Sequence, residues 1–333
     1  MNRVKYLLYY FKELDWPKFN SFFEYVKKLT GKTSWSLWID IISSSFRYNI
    51  GLMDYFIFRF DEKDANERRK WVGTGYKYEF DLKMNPKNTR EILQNKIKFY
   101  EVYFPFIKHG YCTIEDLNQN RPNALSVLNN KSGKVVVKDS LGQCGWDVEI
   151  VKASEYTPQQ LAAYMKSKGF DLAEEFIQQH QVLSSLSPTG LNTVRMITMI
   201  NNFGGVDILG ARMRISVNNH VDNLASGNIA CSIDLDSGRI NGKGVYSDIT
   251  KEAVTHHPVT GIELVGFQIP MWEEIMQSTN EIALYRPENR GVGWDVALTP
   301  EGPDFVEGNH NWCKILWQLP VNKGLKHILE KYN

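Results

Sequence analysis

The chain has 333 residues, enough for two or three packed lobes, and its 43% hydrophobic content can bury a substantial core, which excludes a disordered tail. Lysine plus arginine number 39 against 38 aspartate plus glutamate, so no global field gathers nucleic acid or an anionic membrane, and any phosphate site must be a local concentration of charge. Cys112, Cys144, Cys231 and Cys313 lie far apart with no CxxC spacing, which excludes a disulfide framework and fits a reducing cytoplasm.

The opening MNRVKYLLYYFKELDWPKF has a short apolar patch, but Lys12, Glu13 and Asp15 break it well before the roughly 18 apolar residues of a membrane span. Neither a signal peptide nor an integral membrane segment is expected. The pattern reads as an amphipathic helix on a core, ahead of the alternative of a helix lying on a membrane surface. Residues 1–105, rich in aromatics and helix formers, are expected to form a helical lobe that shapes a substrate site and could supply a homodimer face. Within it, NTREILQNKIKFYEVYFPFI reads as a helix capped at Asn88 or Thr89 that carries Lys96 and Lys98.

The periodicity changes near residue 131. KSGKVVVKDSLGQCGWDVEIV is a β-branched strand, a glycine turn and a second strand, a hairpin and not the strand-to-helix entry of a Walker or dinucleotide motif. Lys138 closes the apolar strand and the turn Gly142 to Gly145 follows. A lysine at a strand end can neutralise phosphates, and glycine lets backbone N–H groups approach them. A helix opened by Thr157 and Pro158 and closed by Gly169 comes next, then the strand DLAEEFIQQ. Residues 106–185 thus form a compact α+β lobe. An extended strand through Glu174, Glu175, Phe176 and Ile177 leaving that lobe could read an adenine edge, although an edge strand with two solvated glutamates explains the segment as well.

Residues 186–333 are dominated by strands, NTVRMITMIN, VDILGARMRIS, NIACSIDLDSG, GWDVALTP and DFVEGN, with a helix at 271–279, and predict an antiparallel sheet with a helix packed on it. Arg212 and Arg214 share a strand face and, with Arg195, could hold a phosphoryl group or a carboxylate. His256 and His257 lack the spacing of a zinc site, and neither a GxSxG elbow nor a context marking Cys144 as a nucleophile occurs. The sharpest signal is GVGWDVALTPEGPDFVEGN. Opposed residues of an antiparallel hairpin lie about 5 Å apart, so Asp295 can converge with Glu307 and Asn309, three oxygen donors suited to a hard cation bridging nucleotide phosphates. A hairpin with ordinary surface acids is the plainer alternative.

Taken in order, Lys96, VVVK with its glycine turn, AEEFI, NTVRMIT, RMRIS with VDN, and the C-terminal hairpin resemble the ATP-grasp superfamily. The resemblance is closest to the sugar-transfer associated ATP-grasp family, with its NTVR, VDN, HPxTG and GxDVAxTxxGPxxxEGN elements; HPxTG here reads His257 to Gly261. It extends over nearly the whole chain. It implies an α+β fold in which two lobes with antiparallel sheets clamp ATP behind an N-terminal helical lobe. It further implies that Lys96 and Lys138 bind phosphates under the turn Gly142 to Gly145, and that Glu174, Glu175, Phe176 and Ile177 meet adenine. Gln181 stands where many relatives carry an acid for the ribose. Asp295, Glu307 and Asn309 would hold magnesium, two ions in all, and Arg195 or Arg214 would stabilise the transferred phosphoryl. Asn192, Asp222, Asn223 and His257 would touch substrate. The implied reaction is ADP-forming ligation of a carboxylate to an amine, from an amino acid or an amino or uronic sugar, through an acyl phosphate, in decorating a capsule or O-antigen precursor. A sugar or small-molecule kinase and a non-catalytic polysaccharide-associated scaffold are the rival readings.

Overall fold

The structure is a computed structural model that describes residues 3–142, 148–218 and 223–333. Its N-terminal region is helical. In the helix Trp16–Thr30 the Asp15 side chain accepts from the Lys18 N–H, Pro17 sits in the first turn, and Gly31 ends the helix at φ 68°. Phe19, Phe22, Phe23 and Val26 on its buried face share one aromatic core with Leu37, Ile41, Tyr55 and Phe56. Further on, Phe80 and Met84 of the helix Thr74–Met84 pack with Ile197, Met199, Trp312 and Trp317, seating the helical region against strand residues from the C-terminal half.

The helix expected to start at Asn88 or Thr89 is instead broken into the short helix Lys87–Arg90, a 3-10 turn Glu91–Leu93 and the helix Lys96–Val102. Asn95 is the reason: its side-chain oxygen accepts from the Lys98 N–H at 3.0 Å and caps a new helix there. Lys96 therefore stands at a helix start, where its own backbone N–H is free to bond elsewhere.

A four-stranded antiparallel sheet follows, with β1 (Tyr111–Thr113), β2 (Lys134–Lys138), β3 (Val148–Lys152) and β4 (Leu172–Glu175) in the order β1-β4-β2-β3. The expected hairpin is β2 and β3. The helix Pro158–Lys168, with the Thr157 and Gln160 capping box and Gly169 at φ 77°, packs Leu161 and Met165 on Val135, Val137 and Ala173. β4 is shorter than the sequence suggests and lies inside the sheet, so it is not an edge strand.

The second sheet is antiparallel throughout, in the order β7-β6-β5-β8-β9, built from β5 (Thr193–Ile200), β6 (Val206–Ile215), β7 (Ile229–Ile233), β8 (Gly291–Thr299) and β9 (Gly302–Asn309). Val194, Met196, Trp294, Val296 and Phe305 bury one face against Ile275 and Ile282 of the helix Trp272–Tyr285 and against Phe99 and Tyr100. By alternation Arg195 and Asp295 face the other way. Glu307 would follow Phe305 into the core, but a register shift pairs Phe305 with Val296 and Glu307 with Asp295, leaving Val306 as the extra residue. The bulge turns Glu307 onto the face of Asp295. No helix among the described residues is long and apolar enough to cross a membrane.

Candidate active site

Register brings the large-sheet residues together: Arg195 lies opposite both Arg212 and Asp295, and Asp295 opposite Glu307. Arg195 grips the Asp295 carboxylate through Nε and through Nη2 at 2.8 Å, and Arg214 Nη1 reaches it at 2.7 Å. Burial pushes the Asp295 carboxyl up, but the two guanidinium groups outweigh it and hold it down at about 2. The expected metal ligand is thus engaged by the two arginines expected at the phosphoryl group, and its first task here is to aim them. Arg212 departs from expectation more fully. Its guanidinium turns to the Trp317 carbonyl, with Nε at 3.0 Å, and to the Ala211 carbonyl at 2.7 Å, which anchors the C-terminal segment. Burial lowers its pKa to about 10.

Glu307 is different. Its side chain is 33% exposed and its nearest cation, Lys96 Nζ, is 4.0 Å away. Two residues on, Asn309 directs Nδ2 toward the Gly293 carbonyl at 3.4 Å, which leaves its oxygen turned elsewhere. A carboxylate and an amide oxygen on one strand face fit a magnesium ion that completes its shell with nucleotide phosphates and water. No group of three His, Cys, Asp or Glu side chains that could hold a metal by itself occurs among the described residues.

On the four-stranded sheet Lys138 Nζ lies 2.6 Å from Glu174 Oε1, with both side chains buried. Tyr100 donates its hydroxyl to the same oxygen at 2.7 Å. Burial would raise Glu174, yet Lys138 and then His109 hold it below the usual carboxylate range. Glu174, expected beside adenine, is therefore the counterion of the strand lysine. Its backbone lies between β1 and β2, the Glu175 N–H bonds to the Gly110 carbonyl at 2.8 Å, and the Phe176 N–H to the Lys134 carbonyl at 3.3 Å. Phe176 and Ile177 are the expected adenine contacts that lie past the end of β4. Gln181 is exposed at the start of the helix Gln181–Leu186, which buries Leu183 and Leu186.

Lys96 joins the two sheets. Its backbone N–H bonds to the Ser140 carbonyl at 3.0 Å, its Nζ to the Gly142 carbonyl at 2.5 Å, and the same Nζ faces Glu307. Gly145, Cys144 and Asp222 lie outside the described residues.

Three expected substrate contacts have structural work. Asn192 is fully buried; its Nδ2 bonds to Gln179 Oε1 at 2.9 Å and the Ser187 carbonyl at 3.0 Å, while its Oδ1 accepts from the Ser216 N–H at 2.9 Å. His257 Nε2 donates to the Ser216 carbonyl at 2.9 Å, and its Nδ1 accepts from the Thr260 N–H at 3.1 Å, so the HPxTG turn closes on itself. Asn223 caps the 3-10 turn Leu224–Ser226 by accepting from the Ala225 N–H at 3.0 Å.

Sequence reasoning missed Tyr100, His109 and Asp304. Asp304 accepts from His109 Nδ1 at 2.8 Å and from the Lys108 and His109 N–H groups at 2.9 and 3.1 Å, tying the entry to β1 onto β9. Burial disfavours a charged His109, but Asp304 prevails and raises its pKa. The exit from β4 is tied alongside, by the His180 N–H to the Leu298 carbonyl at 2.6 Å. Tyr100 lay within reach of sequence reasoning, one helical turn from Lys96, and Asp304 within the hairpin motif; His109 has no local signal.

Two antiparallel sheets, one offering a buried strand lysine and the other an acidic hairpin to a single helix start, make an ATP-grasp protein. The chain belongs to the sugar-transfer associated ATP-grasp family, whose model matches residues 76–333. Among solved structures it is similar to the biotin carboxylase domain of Hydrogenobacter thermophilus 2-oxoglutarate carboxylase, in complex with MgADP, ADP and bicarbonate, at 13% identity and TM-score 0.41, over 71% of this chain and 46% of that one. It is also similar to an L-amino acid ligase from Bacillus licheniformis at 14% identity and TM-score 0.40, over 71% and 48% of the two chains. A RimK domain ATP-grasp protein from Sphaerobacter thermophilus matches at 12% identity and TM-score 0.39, over 73% and 69%. The chain thus spans about half the length of the first two. No curated protein matches.

Proposed function

We propose that the chain is an ADP-forming carboxylate-amine ligase that makes an amide on a sugar or amino-acid precursor of a surface polysaccharide, in the cytoplasm. The observation that carries this reading is Lys96, which bonds the Gly142 carbonyl and faces Glu307 4.0 Å away, so that glycine turn and acidic hairpin border one space. In this reading residues 186–333 carry the magnesium-binding sheet, 106–185 the nucleotide hairpin, and 1–105 the walls of the acceptor site.

Lys96 and Lys138 offset triphosphate charge, the turn from Gly142 to Gly145 covers it, and the segment from Ile177 to Gln181 borders adenine and ribose. Glu307 and Asn309, with Asp295 beside them, would hold magnesium, which would supply positive charge against the nucleotide phosphates. A substrate carboxylate oxygen attacks the γ-phosphorus, the bond to the β-phosphate oxygen breaks, and ADP leaves. Arg195 and Arg214, held by Asp295, keep two positive charges beside the oxygens that gain charge. The amine then attacks the acyl carbon, and phosphate departs with the carbon–oxygen bond while the nitrogen gives up its proton. Sheets closed on each other keep water from the acyl phosphate.

The test is ADP release against a panel of amino acids and amino or uronic sugars, with hydroxylamine in place of the amine. A hydroxamate is expected. A stable phosphorylated sugar would instead establish a kinase, and absence of magnesium-dependent ATP binding a scaffold.

A further inference from the structure

The break at Asn95 leaves a cavity of about 390 Å³ beside the helix Lys96–Val102. That volume is of the order expected for a small-molecule site, roughly 300–1,000 Å³, and exceeds what a single ion needs. Its walls carry Lys87, Arg90 and Lys98, the amides of Gln94 and Asn95, and one acid, Glu91; Leu141 of the glycine turn also borders it.

These charges do not cancel. Glu91 is taken by Lys98. Among the described residues neither Lys87 nor Arg90 is paired with a carboxylate, and Arg90 Nε is shut away from solvent with no hydrogen-bond partner. The orphan Nε is closed to a ligand, but the rest of the Arg90 side chain is only half-buried, and a guanidinium beside a lysine suits a doubly charged oxyanion.

The cavity also adjoins the reaction centre from two directions. Asn95 Nδ2 donates to Ser140 Oγ at 3.1 Å, next to the glycine turn, and Gln94 Nε2 lies 3.0 Å from Nε2 of His310, the neighbour of Asn309. The reacting carboxylate belongs with Glu307, Asn309 and the two arginines. The cavity therefore suits a different part of the same substrate, held within a sugar's length of the chemistry.

We infer that this cavity seats the phosphoryl group of a sugar-phosphate substrate, with Arg90 and Lys87 as its cationic contacts. The inference rests on the ligase reading and names its substrate class. The two terminal nitrogens of a guanidinium can serve two oxygens and an ammonium a third, a set that a phosphoryl dianion can use in full and a carboxylate cannot.

The experiment is calorimetry on the full chain with magnesium and a non-hydrolysable ATP analogue filling the nucleotide site, titrating glucose 1-phosphate, glucuronate and glucose in turn. Glucose 1-phosphate should bind more tightly than the other two, and Arg90→Gln should weaken it about tenfold or more, the loss of a charged hydrogen bond, while affinity for the ATP analogue is unchanged. Should Arg90→Gln fail to fold, the exposed Lys87→Glu reverses charge at the wall and should weaken the same probe alone. Equal or tighter binding of glucuronate, no binding of glucose 1-phosphate, or binding indifferent to both substitutions would overturn the assignment. If the wild type does not bind the ATP analogue, the ligase reading itself fails; if it binds the analogue but not glucose 1-phosphate, only the cavity assignment does.

Discussion

Both sheets hold a buried acid–base cluster toward the space between them, but the clusters are balanced differently. On the four-stranded sheet one lysine meets one glutamate, Lys138 and Glu174, and the charge closes. On the five-stranded sheet Asp295 is shared between Arg195 and Arg214, and Glu307 stands apart in partial contact with solvent. The first arrangement buries both partners in contact; the second sets a partly exposed carboxylate, Glu307, 4.0 Å from the ammonium of Lys96. Proximity of opposite charges therefore does not by itself mark a ligand site, and a carboxylate open to solvent and set apart from its nearest cation is the better guide.

The largest effect should come from breaking the closed pair. Lys138→Met strands a buried carboxylate and should cost about 3–5 kcal/mol of stability by urea unfolding, most of which the double change with Glu174→Gln restores without restoring turnover. Next, Glu307→Gln should cut ADP release by about 100-fold or more with little change in melting temperature, because the change keeps the side chain's size and the nearest cation is 4.0 Å away. Retained activity would remove Glu307 from the metal assignment. The Asp295 cluster predicts a pH dependence. Its folded pKa of about 2 lies below the ordinary aspartate value of 3.8, so the stability it supplies is complete above about pH 4 and is lost as pH falls toward 2. That contribution is about 2 kcal/mol, and Asp295→Asn should flatten this part of the acid-unfolding profile. The smallest effect belongs to Asn95→Ala, about 1 kcal/mol from the lost cap. Its sharper readout is a weaker grip on nucleotide as the helix start, and Lys96 with it, loosens from Ser140 and Gly142.

Sequence legibility followed the distance between partners. The β2–β3 hairpin, the helix capped by Thr157 and the acidic hairpin rest on neighbours a few residues apart, and their patterns are local. Arg195 and Arg214 could be named as site residues, but their common hold on Asp295 depends on strand order, which alternation does not reveal. Asn192 and His257 looked like ligand contacts because they are polar and sit in motifs; their true partners, Gln179, Ser187 and Ser216, come together only through the fold. Glu174 misled for a similar reason, since nothing local tells an edge strand from an interior one. Alternation would have sent Glu307 inward, and only the bulge at Val306 makes the convergence with Asp295 possible.

The tethers at Asp304 and Leu298 bear on motion. Chain enters the small sheet beside Lys108 and His109 and leaves it beside His180, and Asp304 and Leu298 of the same hairpin hold the two crossings. With the bonds of Asn95, Lys96 and Tyr100 to Ser140, Gly142 and Glu174 opened, a body hung from two adjacent pins can swing about the line between them but cannot slide. Admission of nucleotide would then be a one-axis rotation, with Lys138 travelling on the door and Glu307 staying on the frame that carries the hinges.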